Sequence, residues 1–435
     1  MLRAAGLTGA LGGAATLSGC GVVDQLRDGF TLRADVADRP EDELLLTVWA
    51  GAAEEAAFRG LAESFSAEYG GRVVVQVVPF SQALTTVDTG LRTGAPPDVF
   101  RVTYPDVGAY RLQDVLATLP PERAAALEPQ FGESFWSAVS DEGGAFGVPH
   151  HTDTTMVLVN DEAMTAAGVR DVPQAPEDAW TWEEALDVMR RVEASSPADQ
   201  QAVAVNWQLA GAYRWLSWVG QAGGSLLAES LDRAVPPDDP ALLAAMAVTR
   251  GLFTERLTPL SMTTKSGQYT DGLFTARQVA MAHIGNFTLP SLEAPFPWTA
   301  TFMQVREQAT AELGGNALVA VQGPRQERAL AFMEHCVQRE QQASFCAAAS
   351  ALPTRRDLSA ADIDYPAYGD VLALYSEQAD AITTAAVAQA TIPQATALNR
   401  VLVEQLEVAF LAGPDLTDEE ACASLVAAVD AELAR

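Results

Sequence analysis

From Leu44 onward, apolar runs of strand length alternate with stretches of helical spacing, and this alternation restricts the fold more than any other feature. Leu44-Leu45-Leu46-Thr47-Val48-Trp49 reads as a strand. Glu54 to Tyr69 sets Ala57, Leu61 and Phe65 at helical spacing. Arg72 to Val78 is a β-branched strand, Gln82 to Arg92 is helical again, and Asp98 to Val102 is a third strand. Strands that alternate with helices build a mostly parallel sheet covered on both faces, so the expected class is α/β. A chain of 435 residues exceeds one simple core, and two lobes are expected.

Further strands are expected over Gly144–Pro149 and Thr154–Val159. Thr181 reads as an N-cap, with Glu183 and Glu184 in the first turn of the helix that follows. Later helices are expected at 240–252, 325–338, 340–350, 396–411 and 417–434.

The net charge is −30, from 57 acidic and 27 basic residues. Such a surface repels phosphate backbones and argues against nucleic acid as a partner. It also argues against anionic lipid held by charge. There is no Gly-x-Ser-x-Gly elbow, no phosphate-cradling glycine loop with Lys, and no His-Glu-x-x-His. The His150-His151 pair has no further ligands at motif spacing, so a pocket or loop role is expected rather than a metal site. No cofactor is implied. The many carboxylates leave a glycosidase-type pair open, but nothing selects one. Cys336, Cys346 and Cys422 allow a Cys336–Cys346 disulfide or three buried thiols, and the spacing does not choose.

Residues 1–19 place Arg3 before an apolar, small-residue run that ends in Leu17-Ser18-Gly19, just ahead of Cys20. This resembles a bacterial lipoprotein signal peptide. The resemblance implies cleavage before Cys20, a diacylglyceryl group on its thiol, and a protein anchored on the outer face of the cell membrane. The polar stretch from Cys20 to residue 43 would be the tether.

Aromatic residues stand where ligands bind in open α/β sheets, beyond the strand ends. Trp49 ends the first strand and Tyr104 follows the third. Trp207, Tyr213, Trp215 and Trp218 cluster ahead of Gly223-Gly224, and Phe287 follows Gly285-Asn286.

Several motifs then occur in a familiar order. They are Gly94-Ala95-Pro96-Pro97-Asp98-Val99, Gly147-Val148-Pro149 through Val159-Asn160-Asp161, and Pro176 with Thr181-Trp182-Glu183-Glu184. Phe274 to Ala282 and Leu352-Pro353-Thr354-Arg355 complete the set. Together they resemble the maltose-binding-protein-like extracellular solute-binding proteins of ABC importers, over nearly all of the chain from Leu44. The resemblance implies a two-lobed periplasmic-binding-protein-like fold with the ligand in the cleft between lobes. The lobes would be 44–152 plus 284–323, and 153–283 plus 324–435. Hinge closure is the expected motion.

The implied function is binding rather than catalysis, with a sugar or short oligosaccharide delivered to the permease subunits by a monomeric protein. A polyamine, glycerol phosphate or peptide ligand is the alternative within the binding class. An anionic ligand would need convergent arginines, for which Arg101 and Arg355 are candidates. The resemblance assigns Asp153 as a cleft acid and Phe287 as a stacking aromatic. Trp207 and Tyr213 fall in a segment that supplies another. Gly314-Gly315-Asn316 resembles the family's glycine turn at the cleft. Trp49, Tyr104 and Asn286 complete the expected site. Asn399 stands where a large aromatic is usual, which argues against a long maltodextrin stack.

Overall fold

A computed structural model of the chain describes residues 39–208 and 211–435. The expected signal peptide, Cys20 and the expected tether up to residue 38 lie outside the described residues. Arg39 forms an ion pair with Asp98, and Arg325 donates to the Pro40 carbonyl, so the last tether residues already sit against the first sheet.

That sheet runs in the order β2-β1-β3-β11-β6. Its strands are β1 (Glu43–Val48), β2 (Arg72–Val77), β3 (Val99–Thr103), β6 (Val148–His151) and β11 (Asn316–Ala320). A two-residue hairpin, β4 (Ser140–Asp141) and β5 (Gly144–Ala145), precedes β6. Strands β2, β1 and β3 are parallel, as the alternation requires. Strand β11 enters from far along the chain and runs antiparallel to both β3 and β6.

The second sheet runs β10-β7-β9-β8, formed by β7 (Thr155–Asn160), β8 (Gln201–Ala204), β9 (Val279–Gly285) and β10 (Trp298–Thr301). Only β8 and β9 pair in parallel there. Along β7 the side chains alternate between two cores: Met156 and Leu158 point to one, Val157 and Val159 to the other. Both faces are covered, so every residue of β7 is buried.

Local chemistry explains the flanking helices. In helix Ala52–Tyr69 the buried residues are Phe58, Leu61, Ala62 and Phe65, one apolar stripe. Helix Trp182–Ser195 starts with a capping box, in which Thr181 Oγ1 accepts from Glu184 N and the Glu184 carboxylate accepts from Thr181 N.

The lobe boundaries differ from the sequence reading in two places. Strand β10 lies in the segment assigned to the first lobe, yet it pairs with β7 of the second sheet. Helices Gln326–Cys336 and Arg339–Ala349 lie in the segment assigned to the second lobe, yet pack on the first. Phe332 meets Phe65 at 5.2 Å and Phe345 meets Phe58 at 4.8 Å between ring centroids. Apolar patterning marks which residues are buried, not which core receives them. Cys336, Cys346 and Cys422 are buried free thiols, so the Cys336–Cys346 disulfide is not formed. Among the described residues no helix is long and apolar enough to cross a membrane.

Candidate functional site

The first lobe presents Arg101 from within β3. Its side chain is 5% exposed and pairs with Glu54 at 2.9 Å. Nη1 also donates to the Trp49 carbonyl at 2.7 Å, and the guanidinium lies 4.6 Å from the Trp49 ring centroid. Nη2 stands 3.1 Å from His151 Nε2, which is also 3.0 Å from the Asn316 amide. The Tyr104 hydroxyl donates to the His151 carbonyl at 3.2 Å. These contacts tie the ends of β1, β3, β6 and β11 into one rigid floor. Phe80, just past β2, meets Trp49 edge-on at 5.3 Å and is 57% exposed.

Asp153 lies where the chain crosses from β6 to β7. Burial raises its pKa, opposed by the charges of Arg214 and Arg101 and by the backbone N–H of Gly315. The glycine turn is built around it. A β-carbon on Gly314 would stand 2.2 Å from Asp153 Oδ1, and one on Gly315, at φ +91°, would stand 2.4 Å from the His151 carbonyl.

From the second lobe comes Arg214. Its guanidinium lies 4.9 Å from the Tyr213 ring centroid and 6.0 Å from that of Phe287. Its Nε pairs with Glu312 at 3.5 Å. Glu312 also accepts from Thr155 Oγ1, which accepts from Asn206 Nδ2 at 2.8 Å. Burial raises the Glu312 pKa, again against the pull of Arg214. Tyr213 is held by its N–H, which donates to Asn399 Oδ1 at 2.8 Å. Asn399 therefore fixes an aromatic at the cleft instead of supplying one. Tyr269 meets Phe287 edge-on at 6.2 Å, and both rings are largely exposed.

Of the expected residues, Trp49, Asp153, Gly315 and Asn316 come together on the first lobe and the crossing, while Tyr104 is fully buried and braces the His151 carbonyl. Tyr213 and Phe287 come together on the second. Trp207 does not join them. It is fully buried against Phe410 at 4.7 Å and Phe253 at 5.9 Å, with its indole N–H donating to the Met262 carbonyl. Asn286 is also buried and already engaged: its Oδ1 accepts from Thr154 N and its Nδ2 donates to the Ser350 carbonyl. It braces the crossing rather than facing a ligand. Arg355 is spent on Asp357 and the Val337 carbonyl and contributes nothing to the cleft. The His150-His151 pair is buried in the first lobe. Burial chiefly, and then Arg101, lowers His150 to about 3 and His151 well below the usual imidazole range. Among the described residues no group of His, Cys, Asp or Glu is arranged to hold a metal ion.

Sequence reading missed Glu54, Phe80, Arg214, Tyr269 and Glu312. Phe80 carries the signal that selected Trp49, an aromatic just beyond a strand end. Glu312 carries none, because only folding brings it to Arg214.

The model of a family described as "bacterial extracellular solute-binding protein" matches residues 60–399. The chain belongs to this family. Solved structures of solute-binding proteins share its fold at low identity. The putative oligosaccharide periplasmic-binding protein from Synechococcus sp. MITs9220 superposes with a TM-score of 0.75 at 19% identity, covering 90% of this chain and 99% of the other. The cyclic alpha-maltosyl-1,6-maltose binding protein from Arthrobacter globiformis gives 0.74 at 16%, covering 90% and 98%. The GacH receptor of Streptomyces glaucescens GLA.O, solved unliganded and with acarbose, gives 0.71 at 19%, also covering 90% and 98%. No curated protein gives a significant sequence match.

In this solute-binding protein a concavity of about 560 Å³ lies on the second lobe, lined by Trp182, Leu186, Leu243, Val248, Glu255 and Asp418. It shares no residue with the cluster of Arg101, Asp153, Arg214 and Glu312.

Proposed function

We propose that this chain is the binding subunit of an ABC importer that captures a sugar or short oligosaccharide between its lobes and delivers it to the permease. One observation carries the reading. Two aromatic pairs, half-buried Trp49 with exposed Phe80 on one lobe and Tyr269 with Phe287 on the other, accompany a cluster of Arg101, Asp153, Arg214 and Glu312. Flat apolar faces suit the C–H faces of pyranose rings, and the paired charges suit hydroxyls that both donate and accept. The oligosaccharide, cyclic maltosyl-maltose and acarbose named for the three structural relatives fit the same chemistry. An anionic ligand fits poorly, because each cleft arginine already has a carboxylate partner. We read the protein as a binder and not a catalyst.

In this reading the lipid on Cys20 holds the binder beside its permease and raises its effective concentration there. A Cys20→Ser protein should keep its ligand affinity and leave the membrane fraction. The direct test is thermal unfolding with a panel of neutral mono- and oligosaccharides. A ligand at 100 times its Kd stabilises the folded state by about 2.7 kcal/mol, a shift of several degrees. No shift with any sugar overturns the reading.

A further inference from the structure

We propose that the cleft selects a ligand carrying a protonated amine on a polyhydroxylated ring, an amino sugar, with the ammonium seated on Asp153. This rests on the cleft reading above and narrows it.

The charges of the site do not cancel. Arg101 is paired with Glu54 at 2.9 Å, and Arg214 with Glu312 at 3.5 Å. Asp153 is the remaining carboxylate. Among the described residues it forms no ion pair; the charges of Arg214 and Arg101 reach it only from beyond contact, and its backbone partner is the Gly315 N–H. Two positive and three negative groups leave the site one charge negative.

Closing two lobes over a lone carboxylate removes its water, which is costly unless a donor or a cation takes the water's place. A hydroxyl supplies a neutral hydrogen bond, while an ammonium supplies a charge-assisted one of roughly twice the strength. The surface as a whole, with its net charge of −30, draws cations toward the cleft.

The polyhydroxylated part follows from a second observation. The buried Nε–H of Arg101 has no acceptor in the structure. A ring hydroxyl oxygen satisfies it, and a bare polyamine does not.

The probes are matched pairs of neutral sugars and their 2-amino-2-deoxy counterparts: glucose with glucosamine, galactose with galactosamine, cellobiose with the β-1,4 glucosamine dimer. Each is titrated by calorimetry at low and at 0.5 M salt, near pH 6.5, where these amines carry charge. The expected result is tenfold or tighter binding of the amine in at least one pair, with most of that advantage lost at high salt. In Asp153→Asn the ratio of amine to neutral affinity should fall to near one, whatever the absolute affinities. Thermal unfolding verifies that the variant is folded, and Asp153→Glu, which keeps the charge, should retain part of the preference. Neutral sugars binding as tightly as their amines overturns this inference and leaves the sugar reading standing. An amine preference that survives Asp153→Asn also overturns it. Silence from every member of every pair overturns both.

Discussion

Gly314 lies so close to Asp153 that a β-carbon on it would stand 2.2 Å from Oδ1 and 2.4 Å from the Asp153 carbonyl oxygen. The turn and the cleft acid are therefore one construction. The backbone packs against the carboxylate, and no side chain can be admitted between them.

Gly314→Ala should displace Asp153 and weaken ligand binding tenfold or more, with a stability loss of about 1–3 kcal/mol from overpacking. Gly315→Ala adds backbone strain at φ +91° and a 2.4 Å clash with the His151 carbonyl, so its stability loss should be at least as large. Urea unfolding and calorimetry separate the two effects. Wild-type affinity in Gly314→Ala would refute the coupling.

Arg101→Met should destabilise the first lobe by about 3–5 kcal/mol, because it leaves Glu54 without its ion-pair partner and frees the Trp49 carbonyl. The double variant Arg101→Met/Glu54→Leu should recover part of that loss. A double-mutant cycle by urea unfolding measures the coupling, and strict additivity would show that the pair is not a unit.

Trp207→Ala should cost about 3–5 kcal/mol, the value for deleting a fully buried large aromatic. Under conditions where the variant is still folded, ligand affinity should match wild type. A selective loss of affinity without loss of stability would return Trp207 to the cleft.

The protein should lose stability as pH falls through the window from about 6.5 to about 3. Burial lowers His150 and His283 to about 3, so the folded state binds fewer protons than the unfolded one across that window. Each group then removes up to about 1.4 kcal/mol per pH unit on acidification. Asp153 and Glu312 act in the opposite sense. Burial raises their pKa values, so the folded state keeps protons that the unfolded chain has released, and stability falls as pH rises through that range. His283 isolates the first effect. It stacks on Trp218 at 5.9 Å with neither ring nitrogen partnered. His283→Phe should reduce the pH slope between 6 and 4 by about one proton, as followed by urea unfolding at several pH values. An unchanged slope would contradict this assignment.

What the sequence determined by itself was local and periodic. The apolar-rich runs at Leu44–Trp49, Arg72–Val78 and Asp98–Val102 specify the parallel strands, of which β1 and β3 are almost wholly buried and β2 is the half-buried edge. Thr181 with Glu184 specifies a helix start through contacts only three residues apart. Motif order pointed to the family; it also singled out Asp153, which the structure places at the crossing between β6 and β7, and Phe287, which it places beside Arg214. What only the tertiary structure decided was pairing between distant segments. Arg214 meets Glu312, and Arg101 meets Glu54 and His151, across gaps that leave no periodic trace. An aromatic within a motif reads the same whether it lines a cleft or fills a core, as Trp207 shows. Its position depends on Phe253 and on Phe410, the latter from a helix nearly 200 residues downstream, closing over it. That Asp153 lies outside the Arg101–Glu54 and Arg214–Glu312 ion pairs is a tertiary property too.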